Sequence, residues 1–331
     1  MSAAVARAGG SPTRCAGVTA GGTRCRNRAS VEGFCHLHAI PVERTVEARE
    51  PVPSTPFEEQ IKDLLGFLRR RLTGDYSVDD MGLDAELTER FILPMLRLPY
   101  SNWWRVEQRG IENLPAQGPA LLVSNHSGTL PWDALMLKVG VFEASERHVR
   151  LLAADLAMRL PFSGEIARKT GNTLACQEDS YRLLDSGELV GVFPEGFKGV
   201  GKRFRERYKL QRFGRGGFVE VAVKAKVPII PVSIVGAEEI YPIVGDIKPL
   251  ARLFGFPYFP VTPFFPALGP LGMIPLPSKW MITYGEPIPT DQVSEADAAD
   301  PMFVFNLTDE VCETIQQMLY KTLMTRRSVF V

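Results

Sequence analysis

Short apolar runs that end in polar turns recur between residues 100 and 290. One of them, residues 120–123 (ALLV), leads directly into the polar stretch SNHSG. A short apolar run bounded by turn residues is typical of a buried β-strand. The same pattern predicts strands at residues 149–153, 189–193, 227–234 and 280–284. Residues 103–114 alternate apolar with polar side chains and predict an earlier strand.

Helical periodicity separates these runs. Apolar residues fall at helical spacing in 57–72, and helices are also expected near 83–98, 132–139, 179–184, 216–225 and 300–325. Strands that alternate with helices predict an α/β fold, with a mostly parallel sheet flanked by helices. The last helix is expected to cover the sheet.

The chain divides by composition into three segments. Residues 1–38 contain three of the five cysteines, residues 39–56 are rich in proline and charge, and residues 57–331 carry the periodic pattern. We expect a small N-terminal module, a linker and one larger domain. The N-terminus shows no apolar stretch of a secretory signal, and we expect no transmembrane helix.

The N-terminal module holds a candidate metal site. Cys15, Cys25, Cys35 and His38 are spaced x9, x9 and x2. Three thiolates and an imidazole complete a tetrahedral zinc site. The stretch resembles a small zinc-knuckle-like motif, which implies a structural zinc ion; the alternative is a tail with incidental thiols. No cofactor is expected for catalysis.

Formal charge is zero over the 331 residues. No overall field therefore attracts nucleic acid, which is not expected as a partner. We expect a cytoplasmic protein that lies peripherally on a membrane.

The stretch after residues 120–123 carries candidate chemistry. His126 follows the predicted strand, and Asp133 lies in the first turn of the next predicted helix. Polar residues at the carboxyl end of a strand form binding sites in α/β sheets. Each residue alone also has a structural interpretation, His126 as a hydrogen-bonded loop histidine and Asp133 as a helix-capping carboxylate.

A second strand end shows the same features. The stretch FPEGFKG at residues 193–199 follows an apolar run and opens a basic stretch that extends to Arg215. Such a stretch is either a solvated face or an anion site. The candidate substrate-binding residues are Asn125, Glu195, Gly196, Lys198, Lys202 and Arg203.

These motifs together resemble the PlsC-like glycerolipid acyltransferases over residues 103–289. The family's His-acid motif falls on His126 and Asp133, and its Phe-Pro-Glu-Gly motif on residues 193–196. A later Val-Pro-Ile-Ile-Pro-Val strand falls on residues 227–232.

Two departures from the family pattern bear on the substrate. Six residues separate His126 from Asp133, where the family usually has four, so the loop must bulge to bring them together. The arginine expected after residues 171–174 is absent, and Gln177 stands there. The second change favours an acceptor without phosphate unless the basic stretch supplies the charge.

The resemblance implies transfer of an acyl group from acyl-CoA or an acyl carrier protein to a glycerolipid hydroxyl. His126 would act as general base and Asp133 would orient it. Backbone N–H groups near Glu195 and Gly196 would stabilise the oxyanion. Mono- or diacylglycerol is the alternative to a lysophospholipid acceptor. An inactive fold that serves as a zinc-module adaptor is the alternative of another class.

Residues 253–278, which we call the proline-rich segment, contain no charged residue. Prolines at this density prevent a membrane-spanning helix. The segment is expected either to pack over the sheet or to form an apolar lip at a membrane surface.

Overall fold

The structure, a computed structural model, describes residues 57–159 and 163–330. The chain divides into two compact units, residues 1–75 and 76–331. The described part of the first unit contains helix α1 (Phe57–Thr73). Its last turn carries Arg70 and Arg71, and its Leu65 and Leu68 side chains are exposed. The predicted zinc ligands and the predicted boundaries at residues 38 and 56 lie outside the described residues and stay predictions.

The second unit is built on a seven-stranded sheet. Its strands, in chain order, are β1 (Glu107–Arg109), β2 (Ala120–Ser124), β3 (Val149–Ala153), β4 (Thr173–Leu174), β5 (Leu189–Val192), β6 (Ile229–Val235) and β9 (Met281–Tyr284). Strands β7 (Gly245–Asp246) and β8 (Pro260–Val261) form a separate two-stranded antiparallel sheet. The order across the sheet is β1-β9-β6-β2-β5-β3-β4. All neighbours are parallel except β6 and β9, which confirms the predicted mostly parallel sheet.

Helices connect and cover the strands. They are α2 (Ala85–Leu87), α3 (Leu93–Leu98), α4 (Trp132–Ser145), α5 (Asp155–Arg159), α6 (Ser163–Lys169), α7 (Gln177–Asp185), α8 (Phe197–Val200), α9 (Gly217–Ala225), α10 (Lys248–Phe254), α11 (Glu295–Ala298) and α12 (Pro301–Thr325). Among the described residues no helix combines the length and the apolarity that crossing a membrane requires.

Strand β2 is buried throughout because helices cover both faces of the sheet. Alternate side chains of a strand point to opposite faces. Leu122 accordingly packs in one core with Met136 and Leu137 of α4. Leu121 packs in the other core, with side chains of α7, α9 and α12. Central β2 therefore fixes where the loop that follows it leaves the sheet.

The predicted strand at residues 103–114 is wrong over most of its length. Only β1 is extended; residues 99–103 form a π-helical turn and residues 111–113 a 3-10 turn. The alternation failed as a signal because Trp104, fully buried, stacks on Trp280 at 4.8 Å between ring centroids. Arg105 then takes a left-handed backbone conformation with φ 46°. Packing of one indole thus overrides the period.

We predict that Ile315→Ala lowers the free energy of unfolding by about 2–5 kcal/mol, because Ile315 is fully buried where α12 covers the sheet. Met324→Ala on the same helix is the control, since its side chain is 87% exposed. That change should stay within about 0.5 kcal/mol. Urea unfolding measures both, and equal effects would contradict the placement of α12.

Candidate active site

The site lies at the carboxyl ends of β2, β5 and β6. Residues 125–131, which we call the His126 loop, leave β2 and lead into α4. Asn125 at the start of the loop is buried, and its amide exchanges two hydrogen bonds with the backbone of Ile234 in β6, at 3.0 and 2.7 Å. Both ends of the Asn125 amide are thereby used, so it holds the loop to the sheet. The predicted role of Asn125 in substrate binding stays a prediction.

His126 and Asp133 are brought together as the motif requires. The His126 Nδ1 lies 2.7 Å from Asp133 Oδ2, and the aspartate is fully buried. The same Oδ2 accepts the backbone N–H of Ser127 at 2.8 Å. Because Oδ2 already acts as an acceptor towards Ser127, we assign the ring proton of His126 to Nδ1, which leaves Nε2 as the basic nitrogen.

The longer loop between the two residues bulges, as its length requires. Gly128 takes a left-handed conformation with φ 78°, which glycine adopts without a steric penalty. The backbone N–H of Trp132 then donates to Leu130 O at 2.7 Å. Asp133 therefore reaches His126 from the first turn of α4.

The carboxylate of Glu195 holds the backbone of the His126 loop. Its Oε1 accepts the N–H of His126 at 2.9 Å and its Oε2 accepts the N–H of Gln211 at 2.7 Å. The Glu195 side chain is fully buried. Sequence reasoning assigned Glu195 to substrate binding, whereas both of its oxygens are used within the protein.

Lys202 is likewise internal. Its Nζ lies 3.1 Å from Glu195 Oε2 and 2.9 Å from Glu238 Oε1, and its side chain is 4% exposed. We call these three residues the Glu–Lys–Glu cluster. The structure thus corrects the prediction that Lys202 faces a substrate, because its ammonium group forms ion pairs with two buried carboxylates.

The cluster perturbs its own titration. Burial opposes the charge on Lys202, but the two carboxylates outweigh burial and raise the lysine pKa. Burial raises the pKa of Glu238 to about 7, against the opposing effect of Lys202. The negative charge of Glu195 adds a smaller effect in the same direction as burial.

The remaining predicted residues lie on or after α8. Lys198 and Arg203 are exposed, as is most of the basic stretch. The N–H of Gly196 donates to Phe193 O at 3.0 Å. The Gly196 amide is therefore engaged within the turn, and stabilisation of an oxyanion by backbone N–H groups near this turn stays a prediction.

Sequence reasoning missed two residues. Gly199 packs directly beneath the histidine: a Cβ there would lie 2.9 Å from both Cβ and O of His126. Glu238 follows the buried strand β6 at the same sheet edge as His126, and a carboxylate in that position was a usable signal.

An apolar cleft of about 370 Å³ adjoins the His126 loop. Thr129 and Leu130 of the loop form one wall, and Phe197 and Val200 of α8 form another. Leu156 and Tyr241 also line the cleft, and the proline-rich segment supplies the other lining residues: Phe256, Pro257, Tyr258, Phe259, Pro260, Thr262, Phe265, Gly272 and Met273. The cleft has the size and apolar lining of a site for a hydrocarbon chain.

Within residues 57–159 and 163–330, no three His, Cys, Asp or Glu side chains come together as metal ligands. Cys176 and Cys312 are free and half-buried.

Comparison with known proteins places these features in a class. A sequence model of the acyltransferase family matches residues 105–235, which include the His126 loop and the Glu195 turn. The crystal structure of the 1-acyl-sn-glycerophosphate acyltransferase PlsC from Thermotoga maritima has the same fold, with a TM-score of 0.50 and 19% identity over 80% of this chain and 90% of that chain. The second unit therefore has the fold of that crystal structure and contains the stretch that matches the acyltransferase model.

Relatives over nearly the whole chain identify the family further. The chain is 55% identical to an uncharacterized protein of Mycobacterium tuberculosis, over 92% of this chain and 87% of that protein. It is 51% identical to an uncharacterized protein of Mycobacterium leprae over 92% and 86%. The chain belongs to one protein family with these mycobacterial proteins.

More distant similarity reaches animal enzymes. The "DGAT1/2-independent enzyme synthesizing storage lipids" of Bos taurus is 30% identical over 57% of this chain and 54% of that enzyme. Residues 12–45, which include the predicted zinc ligands, match a domain family of unknown function.

We predict that Gly199→Ala lowers the free energy of unfolding by about 1–3 kcal/mol, because the new methyl group would displace the His126 loop. The control is Gly214→Ala, where an added Cβ meets no atom within 4 Å. Chemical unfolding compares the two variants. Equal stabilities would show that the contact beneath His126 is not tight.

The raised pKa of Glu238 predicts a pH dependence of stability. The folded protein holds this proton more tightly than the unfolded chain, so its contribution is complete below the ordinary value of 4.5 and is lost as the pH rises to about 7. Glu238→Gln should flatten the decline over that window. Exposed Glu286→Gln is the control, and parallel wild-type and Glu238→Gln curves would contradict the assignment.

Proposed function

We propose that the protein is an O-acyltransferase that moves a fatty acyl group from an acyl thioester to a hydroxyl of a glycerolipid. The observation that carries this proposal is the His126–Asp133 pair, 2.7 Å apart, on a loop that also walls an apolar cleft. The acyltransferase-family match over residues 105–235 supports the same class. The chain-binding cleft accounts for the lipid substrate, and the imidazole accounts for the chemistry.

The proposed reaction uses one proton transfer and no covalent enzyme intermediate. Nε2 of His126 takes the proton of the acceptor hydroxyl while its oxygen attacks the thioester carbonyl. Asp133 stabilises the imidazolium that forms and fixes the ring tautomer. The carbon–sulfur bond then breaks, and the imidazolium returns its proton to the thiolate. The products are an ester and a free thiol.

Rigid support makes the pair effective. The backbone of His126 is held by Glu195, its Cβ lies above Gly199, and its ring packs at a tilt of 36° against that of Phe193, with 4.6 Å between ring centroids. A base fixed in this way loses little entropy when the acceptor binds.

Acyl-CoA and acyl carrier protein are both proposed donors, and a lysophospholipid is the first proposed acceptor. A mono- or diacylglycerol is the second, favoured by the similarity to the bovine enzyme whose name refers to storage lipids. The exposed cations Lys198 and Arg203 favour an acceptor or donor that bears phosphate. We also propose that the protein works at a membrane surface, where such acceptors reside.

We predict that purified protein transfers a labelled acyl group from acyl-CoA to one member of a panel of lysophosphatidic acid, other lysophospholipids, monoacylglycerol and diacylglycerol. His126→Ala should abolish transfer, because the acceptor hydroxyl then loses its proposed general base. Asp133→Asn should lower the rate by about 10²–10⁴-fold, because the ring loses its tautomer.

The control is His148→Ala, a histidine whose ring is engaged by Glu89 at 2.9 Å. It should leave the rate unchanged. Release of free fatty acid at the same rate without any acceptor would show a thioesterase instead. Absence of transfer from acyl-CoA and from acyl carrier protein alike would refute the enzyme assignment and favour an adaptor.

A further inference from the structure

The proline-rich segment exposes large apolar side chains around the cleft. Leu271 is 69% exposed and Leu268 is 55% exposed, and neither lines the cleft itself. The full set of exposed apolar side chains is Leu253, Phe254, Phe256, Phe264, Leu268, Leu271, Met273 and Ile274. Exposed apolar surface this contiguous in sequence marks an interaction site.

The backbone of the segment is suited to leaving water. Its prolines carry no N–H, and turns within the segment satisfy other donors: the N–H of Leu268 donates to Phe264 O at 2.8 Å and that of Gly269 to Pro266 O at 2.8 Å. An unpaired backbone donor is costly in a hydrocarbon environment. Transfer of this surface out of water therefore costs little.

The base of the segment is held by the domain. Trp103 and Trp104 donate their indole N–H groups to the carbonyls of Pro275 and Leu276 at 2.9 and 3.1 Å. Nearer its start, the segment contributes β8, which pairs with β7 outside the segment. Tyr241 OH donates to Met273 O at 2.7 Å. The apolar surface is thus presented by an ordered loop and needs no folding step to bind.

Cations border the apolar surface. Lys248 and Arg252 are exposed on α10, just before the segment. Lys198 and Arg203 are exposed beside Phe197 and Val200 of the cleft wall. Cations next to an apolar surface match the anionic headgroups and hydrocarbon of a bilayer. Two copies of this surface face to face would bring the same cations together, which disfavours a dimer.

We propose that residues 253–274 dock on the surface of an anionic phospholipid bilayer, with Leu268 and Leu271 entering the hydrocarbon. The proposal rests on the proposed function in one respect, since it gives lipid substrates a direct path from the bilayer into the cleft. Its physical basis, apolar side chains on a satisfied backbone with flanking cations, is independent of catalysis.

Vesicles of phosphatidylcholine and phosphatidylglycerol test the surface. The double variant Leu268→Ser/Leu271→Ser should lower the partition coefficient of the full chain about tenfold or more. The matched control is Met302→Ser/Met324→Ser on α12, whose side chains are 62% and 87% exposed. It should bind as the wild type does. The proposal would be overturned if the wild type did not bind the vesicles. It would also be overturned if the partition coefficient of Leu268→Ser/Leu271→Ser lay within twofold of the wild-type value.

The depth to which residue 271 enters the bilayer provides a second test, which distinguishes insertion of this residue from binding through another surface of the protein. Tryptophan emission of Leu271→Trp should shift to the blue on vesicles and be quenched by lipids brominated in their acyl chains. The emission of Met302→Trp should not change beyond the native background. Equal quenching of the two variants would overturn the proposal.

Catalysis and docking fail separately. Transfer between dispersed substrates below their critical micelle concentration should be unchanged in Leu268→Ser/Leu271→Ser, because neither side chain lines the cleft. Vesicle binding by wild type without any acyl transfer would refute the enzyme assignment and leave the docking surface in place.

Discussion

The site depends on a buried carboxylate. Glu195 accepts the backbone N–H of His126 with one oxygen and that of Gln211 with the other, and it does so with no exposed side-chain surface. A buried charge is tolerated only when it is paired and hydrogen-bonded, and Lys202 supplies the pairing. Lys202 in turn engages Glu238, which accepts the N–H of Tyr208 at 2.8 Å. Segments from three strand ends are thereby tied to one charged cluster beneath the histidine.

The Glu–Lys–Glu cluster distinguishes one buried cation from the exposed cations near the site. The basic stretch after α8 contains one buried member, Lys202, whose charge is internal, while Lys198 and Arg203 remain exposed. The apolar cleft lies along the His126 loop. In the proposed reaction, the apolar cleft would therefore bind a hydrocarbon chain and His126 would bind the reacting hydroxyl. The exposed cations would bind an anionic group in the same small region.

Much of this arrangement was predictable from the sequence, and the limits have physical causes. The buried strands β2, β5 and β6 follow from apolar runs that end in polar turns, and the His126–Asp133 contact follows from their positions at a strand end and a helix start. The strand predicted at residues 103–114 failed because Trp104 packing decides the backbone there. The roles of Glu195 and Lys202 could not be read from the chain, because a charge near a strand end looks the same whether it faces a ligand or another buried charge.

The tautomer of His126 tests the central claim most directly. Nitrogen-15 spectra of the histidine rings, with His126→Ala identifying the relevant signals, report which ring nitrogen carries the proton. In the neutral ring, a proton on Nδ1 held by Asp133, with Nε2 unprotonated, is the result that the geometry predicts. A proton on Nε2 in the neutral ring would contradict the account, because the basic nitrogen would then be Nδ1, which faces Asp133 and not an acceptor hydroxyl.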